Sequence, residues 1–196
     1  MGELTVIRHG QTEWSLSGRH AGRTDVPLTA AGEATARALA PRLAARRRPV
    51  AVFSSPLSRA LRTAELAGLS DVMADPDLIE WDYGGYEGLT ADQIEQSRPG
   101  WDLWRDGVIP GEAAFPGEQL QQVAARTDAA LARIRPLLAD GDVAVVAHGH
   151  LARILAARWL DLDPSAAGLL GHPHPGTLST LATEHGHPVI AAWNVP

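Results

Sequence analysis

Residues 142–149 read Asp-Val-Ala-Val-Val-Ala-His-Gly (DVAVVAHG). The apolar run from Asp142 to Ala147 has the length and the valine content of a strand buried inside a sheet. His148-Gly149 follows it directly and leads into a helix that the pattern predicts over Leu151–Leu160. A strand, a polar junction and a helix therefore form the unit from which the fold prediction is built.

The same alternation of strands and helices recurs along the chain. Because strands that alternate with helices favour a largely parallel sheet, we expect an α/β fold, a three-layer sandwich with helices on both faces. The last two strands are expected to form an edge hairpin. The further predicted strands are Leu4–Arg8, Val50–Phe53, Val72–Ala74, Leu78–Ile79, Gly176–Ala182 and Pro188–Trp193. The further predicted helices are Ala30–Arg48, Leu57–Leu66 and Glu118–Leu138.

Helix boundaries have their own signals. Thr29 is placed to cap the helix that begins near Ala30, and Pro41 is expected to kink or break that helix. Pro56 occupies a first helical position, where its missing N–H costs nothing. Gly68 ends the same helix.

Residues 81–117 differ in composition from the rest of the chain. They hold three of the six Trp, both Tyr, seven Gly and three Pro. This stretch is too irregular for a sheet core, and long connections of this kind are often functional lids. With no repeat or linker-like segment, the 196 residues predict one domain, 1–196, with a lid-like excursion over 81–117.

Composition and charge exclude several classes of protein. The chain has 17 basic residues, all of them Arg, against 23 acidic ones, and its net charge of −6 argues against a general nucleic-acid binder. Without Lys there is no P-loop or Schiff-base lysine, and without Cys there is neither a disulfide framework nor a Cys nucleophile. No signal-peptide pattern and no apolar run of roughly 18 residues are present, so we expect no membrane association and a cytoplasmic location.

Polar residues follow the predicted strands at the points where those strands end. Arg8 and His9 follow the first strand, Arg59 lies in the helix after the second, and His148 follows the strand at 142–147. Ligands of such sheets bind beyond the carboxyl ends of the strands, so these side chains are expected to converge. Two Arg and two His suit an anionic phosphate group, and Glu80 adds a proton donor, which together predict phosphoryl transfer.

The segment Arg8–Trp14 (RHGQTEW) resembles the signature of the histidine phosphatase superfamily, the phosphoglycerate mutase-like proteins. Further segments resemble the family in the same order, and together they span nearly the whole chain. They are residues 17–19, 24–25, 27–33, 54–60, 63–64, 80–88, 116–118 and 145–149.

The resemblance implies roles for five residues. His9 would be the nucleophile that becomes phosphorylated, and Glu80 would protonate the leaving alcohol and later deprotonate water. The phosphoryl oxygens would be held by Arg8, Arg59 and His148. No metal or cofactor is required, because Arg and His supply the positive charge.

Substrate contacts are expected from a second group of residues. The family usually has Asn after the Trp, whereas this chain has Ser15, whose hydroxyl still donates one hydrogen bond over a shorter reach. This variant, with residues 101–107 (WDLWRDG), resembles a branch that holds sugar-bisphosphatases and acid phosphatases. The expected contacts are Ser15, Arg19, Ala21, Gly22, Tyr83, Arg105 and Gly149, whereas packing would equally explain His20 and Trp104.

The favoured function is a phosphatase of a small phosphorylated metabolite. A 2,3-bisphosphoglycerate-dependent mutase and a non-catalytic phosphoprotein-binding domain stay open. A third alternative is a metal-dependent hydrolase that uses the pairs His172/His174 and His185/His187, although no Cys or carboxylate stands at ligand spacing beside them. Edge strands in the tail could also pair two copies, which leaves a homodimer open.

Overall fold

One six-stranded sheet forms the centre of the molecule, in a computed structural model that describes residues 1–196. The strand order is β3-β2-β4-β1-β5-β6. The first four strands in this order are parallel, and β5 and β6 add an antiparallel edge, so the predicted mostly parallel α/β sheet is confirmed. The strands are β1 Leu4–Arg8, β2 Ala51–Ser54, β3 Val72–Ala74, β4 Val143–Ala147, β5 Leu178–Glu184 and β6 His187–Val195.

Strand β4 is buried along its whole length because it lies between two parallel neighbours. Val145 pairs with Val6 of β1 on one side and with Phe53 of β2 on the other. The three strands end at nearly the same level, where Arg8 pairs with Ala147. The residues that follow each strand are therefore brought to one edge of the sheet.

Helices cover both faces of the sheet. The helices are α1 Glu13–Leu16, α2 Ala30–Ala44, α3 Ser58–Leu66, α4 Ala91–Ser97, α5 Leu103–Asp106, α6 Leu120–Ile134 and α7 Gly149–Trp159. Alternate residues of a strand point to opposite faces. Val145 accordingly packs with the apolar faces of α6 and α7, whereas Val146 packs with those of α2 and α3. None of these helices combines the length and apolarity that a membrane crossing requires.

One predicted strand is wrong. Residues 76–78 form a 3-10 helix, Pro76–Leu78, in place of the strand expected at Leu78–Ile79. Asp75 caps this turn, since its carboxylate accepts a hydrogen bond from Asp77 N at 3.0 Å, and Pro76 occupies the first helical position. The local capping signal thus outweighs two apolar residues that are too few to define a strand.

The predicted helices are confirmed, with shifted ends. α3 begins at Ser58, so Pro56 precedes the helix and does not occupy its first position. α2 ends at Ala44 rather than Arg48, and Pro41 lies inside it without stopping it. A proline so near the end removes only one hydrogen bond from the last turns. The long helix predicted to Leu138 is α6 to Ile134, followed by a 3-10 helix, Arg135–Ala139, that contains Pro136.

Residues 81–117 are more regular than their composition suggests. They contain a 3-10 helix at Gly84–Tyr86 as well as α4 and α5. Trp81 is fully buried and packs edge-on against Trp104, with ring centroids 5.7 Å apart. The single domain and the lid-like role of this stretch stay predictions.

The predicted edge hairpin is confirmed, with β5 antiparallel to β6. Its turn consists of His185 and Gly186, which both have positive φ, 50° and 83°. Two residues with left-handed φ are typical of the turn that joins two twisted antiparallel strands.

Candidate active site

A cavity of about 290 Å³ opens at the carboxyl ends of β1 and β4. Its wall combines cationic and imidazole side chains with one carboxyl group. Predicted site residues that line it are Arg8, His9, Ser15, Arg19, Ala21, Glu80 and Tyr83. Thr12, Gly18, His20, His150, His172, His174 and Pro175 complete the lining.

His9 follows β1 and is only 4% exposed. Its main-chain N–H donates to Ala147 O at 3.0 Å, which extends the pairing of β1 with β4 by one residue. Its ring Nδ1 lies 2.7 Å from Gly10 O, and a carbonyl only accepts, so Nδ1 carries the proton. The neutral ring therefore keeps an unprotonated Nε2.

The electrostatic environment keeps this imidazole neutral. Burial is the main cause that lowers the pKa of His9 well below its usual value, and the positive charges of Arg59 and Arg8 lower it further. The hydrogen bond to Gly10 O acts in the opposite direction but does not compensate. A neutral imidazole with a free nitrogen is the form that attacks an electrophile.

Arg59 and His148 lie directly behind His9, and both are fully buried. The rings of His9 and His148 meet edge to face with centroids 5.0 Å apart. Arg59 Nε donates to His148 Nδ1 at 3.3 Å, so His148 Nε2 carries the proton and donates to Ser55 Oγ at 2.8 Å. Burial, followed by the charge of Arg59, lowers the pKa of His148 well below its usual value.

The remaining donors of Arg59 hold the loop in front of it. Nη1 donates to Thr24 O at 2.8 Å, and Nη2 donates to Ala21 O and Gly22 O at 3.0 Å each. Arg59 and His148 do not form part of the cavity wall. The structure brings them to the site as predicted, and their contact with a phosphoryl group stays a prediction.

Arg8 contributes the cationic side of the cavity. Its Nη1 donates to Pro173 O, and its Nε is buried without a hydrogen-bond partner. Burial lowers the pKa of Arg8 to about 10, against the raising effect of Glu80 and Tyr83, so the guanidinium stays charged at neutral pH. A built Cβ on Gly149 would lie 3.2 Å from Arg8 Cζ, so the glycine lets Arg8 approach the start of α7.

The carboxyl group of Glu80 is held by main-chain donors. Oε1 accepts hydrogen bonds from Trp81 N and Leu151 N at 2.9 Å each, and Oε2 accepts one from His150 N at 3.0 Å. Two of these donors belong to the first turn of α7, where N–H groups have no partner inside the helix. Glu80 also lines the cavity, so its carboxyl group is fixed in the same space as the nucleophile candidate.

Comparison with known proteins identifies the family. The model of the histidine phosphatase superfamily, branch 1, matches residues 4–196. The chain belongs to the histidine phosphatase superfamily. The resemblance found in the sequence is thereby confirmed.

Several relatives of this histidine phosphatase are named as phosphatases. An acid phosphatase of Mycobacterium tuberculosis is 40% identical over 186 residues, which cover 93% of this chain and 87% of the relative. A sedoheptulose 1,7-bisphosphatase of Saccharomyces cerevisiae is 37% identical over 188 residues, with 80% and 67% covered. The solved structure of an open reading frame of Mycobacterium tuberculosis has a TM-score of 0.91 at 35% identity, and the match covers 99% of this chain and 97% of that one.

These relatives confirm the prediction of a hydrolase of the histidine phosphatase type. Further relatives carry the names phosphoglycerate mutase-like protein and metal-independent phosphoserine phosphatase, both from Arabidopsis thaliana. The names of the relatives thus agree on small phosphorylated metabolites and differ in the individual metabolite.

The wall of the cavity beside Glu80 is built from uncharged rings. Tyr83 Oη lies 2.6 Å from His150 Nδ1. Burial raises the pKa of Tyr83 well above its usual value and lowers that of His150 well below, so both groups are neutral. His20 packs edge-on against Tyr83, and His172 packs against His150, with centroids 4.7 and 4.9 Å apart. No sequence pattern indicated that His172 lies at this wall.

Some expected substrate contacts have other partners. Arg105 does not line the cavity, and its guanidinium pairs with Asp106 at 2.7 Å on the surface, so its contact with a substrate stays a prediction. Gly22 lies behind the wall, where its carbonyl accepts from Arg59, and Gly149 lies beneath Arg8. Ser15 lines the cavity, but its hydroxyl already donates to a main-chain oxygen in its own helix.

Two supporting residues escaped the sequence analysis. Glu87 accepts hydrogen bonds from Gly22 N and Thr24 N. It therefore holds the same loop, residues 21–24, whose carbonyl groups accept hydrogen bonds from Arg59. Thr63 Oγ1 accepts a hydrogen bond from Gly10 N at 3.0 Å. Both residues lie in or next to the family-like segments, which was the only signal available.

The histidine pairs of the tail do not form a metal centre. No group of three or more His, Cys, Asp or Glu side chains is placed to hold a metal ion. His172 and His174 line the cavity, whereas His185 and His187 belong to the distant hairpin. The metal-dependent alternative therefore lacks a set of ligands.

Proposed function

We propose that the chain is a metal-independent phosphomonoesterase that acts through a phosphohistidine on His9. The observation that carries this proposal is the His9 ring, whose Nδ1–H is bound to Gly10 O while the neutral ring keeps Nε2 unprotonated. The same cavity holds the guanidinium of Arg8 and the carboxyl group of Glu80. A nucleophile, a cation and a proton carrier thus share one space.

In the first step, His9 Nε2 attacks phosphorus while the bond from phosphorus to the ester oxygen breaks. The departing alkoxide takes a proton from the Glu80 carboxylic acid. In the second step, the Glu80 carboxylate removes a proton from water as that water attacks the phosphohistidine. Inorganic phosphate leaves, and both residues return to their starting forms.

Positive charge stabilises the transferring group. Arg8 and Arg59 supply two guanidinium ions around His9, and His148 would donate its Nε2–H to the phosphoryl group in place of Ser55 Oγ. Phosphoryl transfer depends mainly on positioning and on such charge. Loss of one preorganised donor typically costs roughly 2.7–4 kcal/mol of transition-state stabilisation.

An acid phosphatase is favoured by the lowered pKa of His9. Because burial and two neighbouring guanidinium groups oppose protonation, the nucleophile stays available when the solution is mildly acidic. The acid phosphatase among the relatives supports the same activity.

A sugar phosphate is a fitting substrate, as the sugar-bisphosphatase relative suggests. The neutral rings of Tyr83, His20 and His150 offer hydrogen bonds and stacking surface to a polyhydroxy group. Arg19 is exposed at the mouth of the cavity and has no carboxylate partner, so it is the cation available for a second phosphate. Arg23 is less available for a second phosphate because its Nε lies 3.6 Å from Asp82 Oδ2. Phosphate release from a panel of sugar mono- and bisphosphates tests this part.

The first test is the covalent intermediate. His9→Ala is expected to abolish both turnover and the acid-labile phosphoenzyme that forms with a ³²P-labelled substrate. His187→Ala in the distant hairpin is the control and is expected to keep both. Normal turnover by His9→Ala would remove the covalent mechanism.

The second test is the leaving group. Glu80→Gln is expected to slow an alkyl phosphate such as glycerol 2-phosphate by about 10²–10⁴-fold. It should slow p-nitrophenyl phosphate much less, because nitrophenolate leaves without a proton. Equal slowing would refute Glu80 as the acid, and loss of activity in EDTA would refute metal independence.

The mutase and the phosphoprotein-binding alternatives give different results in the same assays. A mutase isomerises phosphoglycerate when 2,3-bisphosphoglycerate is present and releases little phosphate. A binding domain retains phosphopeptides without turnover. Phosphate release that does not depend on 2,3-bisphosphoglycerate is the result expected here.

We also propose that the protein is cytoplasmic and forms a homodimer. A charged sugar phosphate does not cross an apolar membrane unaided, so its phosphatase is placed with the metabolite. β6 is the exposed edge of the sheet, and such an edge can pair with a second copy. Cell fractionation and light scattering test the two statements.

A further inference from the structure

The segment that carries Glu80 has no regular secondary structure of its own. Residues 79–83 connect the 3-10 helices Pro76–Leu78 and Gly84–Tyr86. A group that transfers a proton in the transition state must be held within a fraction of an ångström. The position of this segment must therefore be fixed by other parts of the molecule.

Arg126 of α6 binds the main chain of this segment from behind. Its Nη1 donates to Asp77 O at 2.9 Å and also to Ile79 O. Its Nη2 donates to Glu80 O at 3.1 Å. One guanidinium group thus holds three carbonyl groups, the last of which belongs to Glu80 itself.

Glu118 holds both the guanidinium and the other end of the segment. Its carboxylate accepts from Arg126 Nε at 2.8 Å and Nη2 at 3.0 Å, and also from Asp82 N at 2.9 Å. Its main-chain N–H donates to Asp82 O at 2.9 Å, and its carbonyl accepts from Trp81 Nε1 at 2.7 Å. The side chains of Arg126 and Glu118 are each only 13% exposed, so water competes little for these bonds.

The helix of Arg126 is packed against the helix that binds the Glu80 carboxyl group. α6 and α7 contribute to one apolar cluster, and the first turn of α7 donates two N–H groups to Glu80. The carboxyl group is therefore fixed by α7, and the main chain behind it is fixed by α6. Arg126 completes a rigid frame around the residue.

We propose that Arg126, with its partner Glu118, is a positioning residue for proton transfer by Glu80. Arg126 does not line the cavity, so it acts through the main chain and not through the substrate. The inference rests on the proposed role of Glu80 as the general acid.

The test compares two substrates on one enzyme sample. Arg126→Met removes the guanidinium fork but keeps an unbranched side chain. We expect the kcat for glycerol 2-phosphate to fall about 10- to 100-fold, and the kcat for p-nitrophenyl phosphate to fall less than about 3-fold. The ratio of the two rates does not depend on the fraction of folded enzyme. An unchanged ratio would overturn the proposal.

Arg133→Met is the matched control. Arg133 also lies on α6 and pairs with Asp75 at 2.8 Å and Asp77 at 2.6 Å, but it donates to no carbonyl group of the segment. We expect this variant to lower the Tm and to keep the wild-type ratio. A ratio changed as much as in Arg126→Met would reduce the role of Arg126 to general stability and overturn the proposal.

Arg126→Lys separates charge from geometry. The positive charge of Arg126 also lowers the pKa of His148, and lysine keeps that charge but cannot hold three carbonyl groups. We expect the kcat of Arg126→Lys for glycerol 2-phosphate to stay as low as that of Arg126→Met. Full recovery would mean that charge alone matters and would overturn the positioning role.

Glu80→Gln distinguishes the failure of this inference from the failure of the proposed function. If Glu80→Gln does not discriminate between the two substrates, Glu80 is not the general acid and the proposed mechanism fails. If Glu80→Gln discriminates and Arg126→Met does not, only the positioning role fails.

Discussion

Arg59 joins two parts of the site that are distant in sequence. Its Nε binds His148, and its Nη1 and Nη2 hold the carbonyl groups of residues 21–24. Burial lowers the pKa of Arg59, but nearby Glu80 and Asp25 oppose the shift. The guanidinium is therefore both a charge beside the nucleophile and the centre of a buried hydrogen-bond network.

Replacing this side chain is expected to affect activity and stability together. Arg59→Met leaves buried carbonyl groups without donors, which costs about 3–5 kcal/mol of the free energy of unfolding. It also removes one cation from the phosphoryl site, so kcat/KM should fall about 10²–10³-fold. Urea denaturation and phosphate-release kinetics measure the two effects.

Arg62, one turn further along α3, is the control at this scale. It pairs with Glu33 and Glu65 at 2.9 and 2.8 Å on the surface. Exposed pairs of this kind contribute about 0–1 kcal/mol. Arg62→Met should therefore keep full activity, and equal losses in both variants would contradict the role given to Arg59.

Among the elements, α2 and the loop after β1 approach each other unusually closely. A built Cβ on Gly32 would lie 2.1 Å from Gln11 O, a main-chain atom that cannot move aside easily. Gln11 O also accepts from Thr29 N at 2.9 Å, so the start of α2 is bonded to the loop that carries His9. This contact fixes the loop that carries His9 on the helix.

Gly32→Ala is expected to reverse the ordinary effect of that substitution in a helix. Alanine normally stabilises a helix by about 0.8–1 kcal/mol relative to glycine. Here the clash should destabilise the protein by about 1–3 kcal/mol. Ala34→Gly, at an exposed site of α2, measures the ordinary propensity term, and a more stable Gly32→Ala protein would contradict the predicted contact.

The elements show which sequence signals were sufficient. DVAVVA and LTVIR are apolar runs long enough to define β4 and β1, and two further strand-length runs in the tail predicted the edge hairpin. The strand expected at Leu78–Ile79 failed because capping by Asp75 is a local polar effect that an apolar pair does not reveal. α6 ends earlier than predicted because a 3-10 helix that contains Pro136 follows it.

At the scale of the whole molecule, the site buries several neutral imidazoles. Burial is the first cause that lowers the pKa values of His9, His148 and His150 well below 6.5. The unfolded chain takes up protons on these rings near pH 6.5, whereas the folded chain does not. The folded state is therefore favoured above this pH and loses stability as the pH falls.

We expect the free energy of unfolding to decrease between pH 6.5 and 5, with a slope of up to about 1.4 kcal/mol per pH unit for each buried imidazole. The raised pKa of half-buried Glu87 acts in the opposite direction, but it is one carboxyl group against three rings. Urea denaturation over pH 5–8 measures the slope. His9→Asn removes one of these imidazoles, so it should reduce the slope by up to about 1.4 kcal/mol per pH unit. A free energy of unfolding that rises toward pH 5 would contradict the prediction.

The convergence of the site was predictable at this scale because parallel strands end at one edge. The sequence did not predict which of these side chains line the cavity and which lie behind it or on the surface. Arg59 and His148 lie behind His9 rather than in the cavity wall, and Arg105 is held on the surface by Asp106. Such differences depend on the packing of side chains from distant segments, which no local pattern records.

The hydrogen bond from His9 Nδ1 to Gly10 O has a consequence for how this enzyme can lose its activity. Every residue carries the same carbonyl oxygen, so no point mutation can delete the acceptor that sets the tautomer. A mutation can remove this hydrogen bond only by changing the main-chain path of the loop. The orientation of the His9 ring is thus encoded in the path of the polypeptide, and it should persist when the side chains around it are mutated.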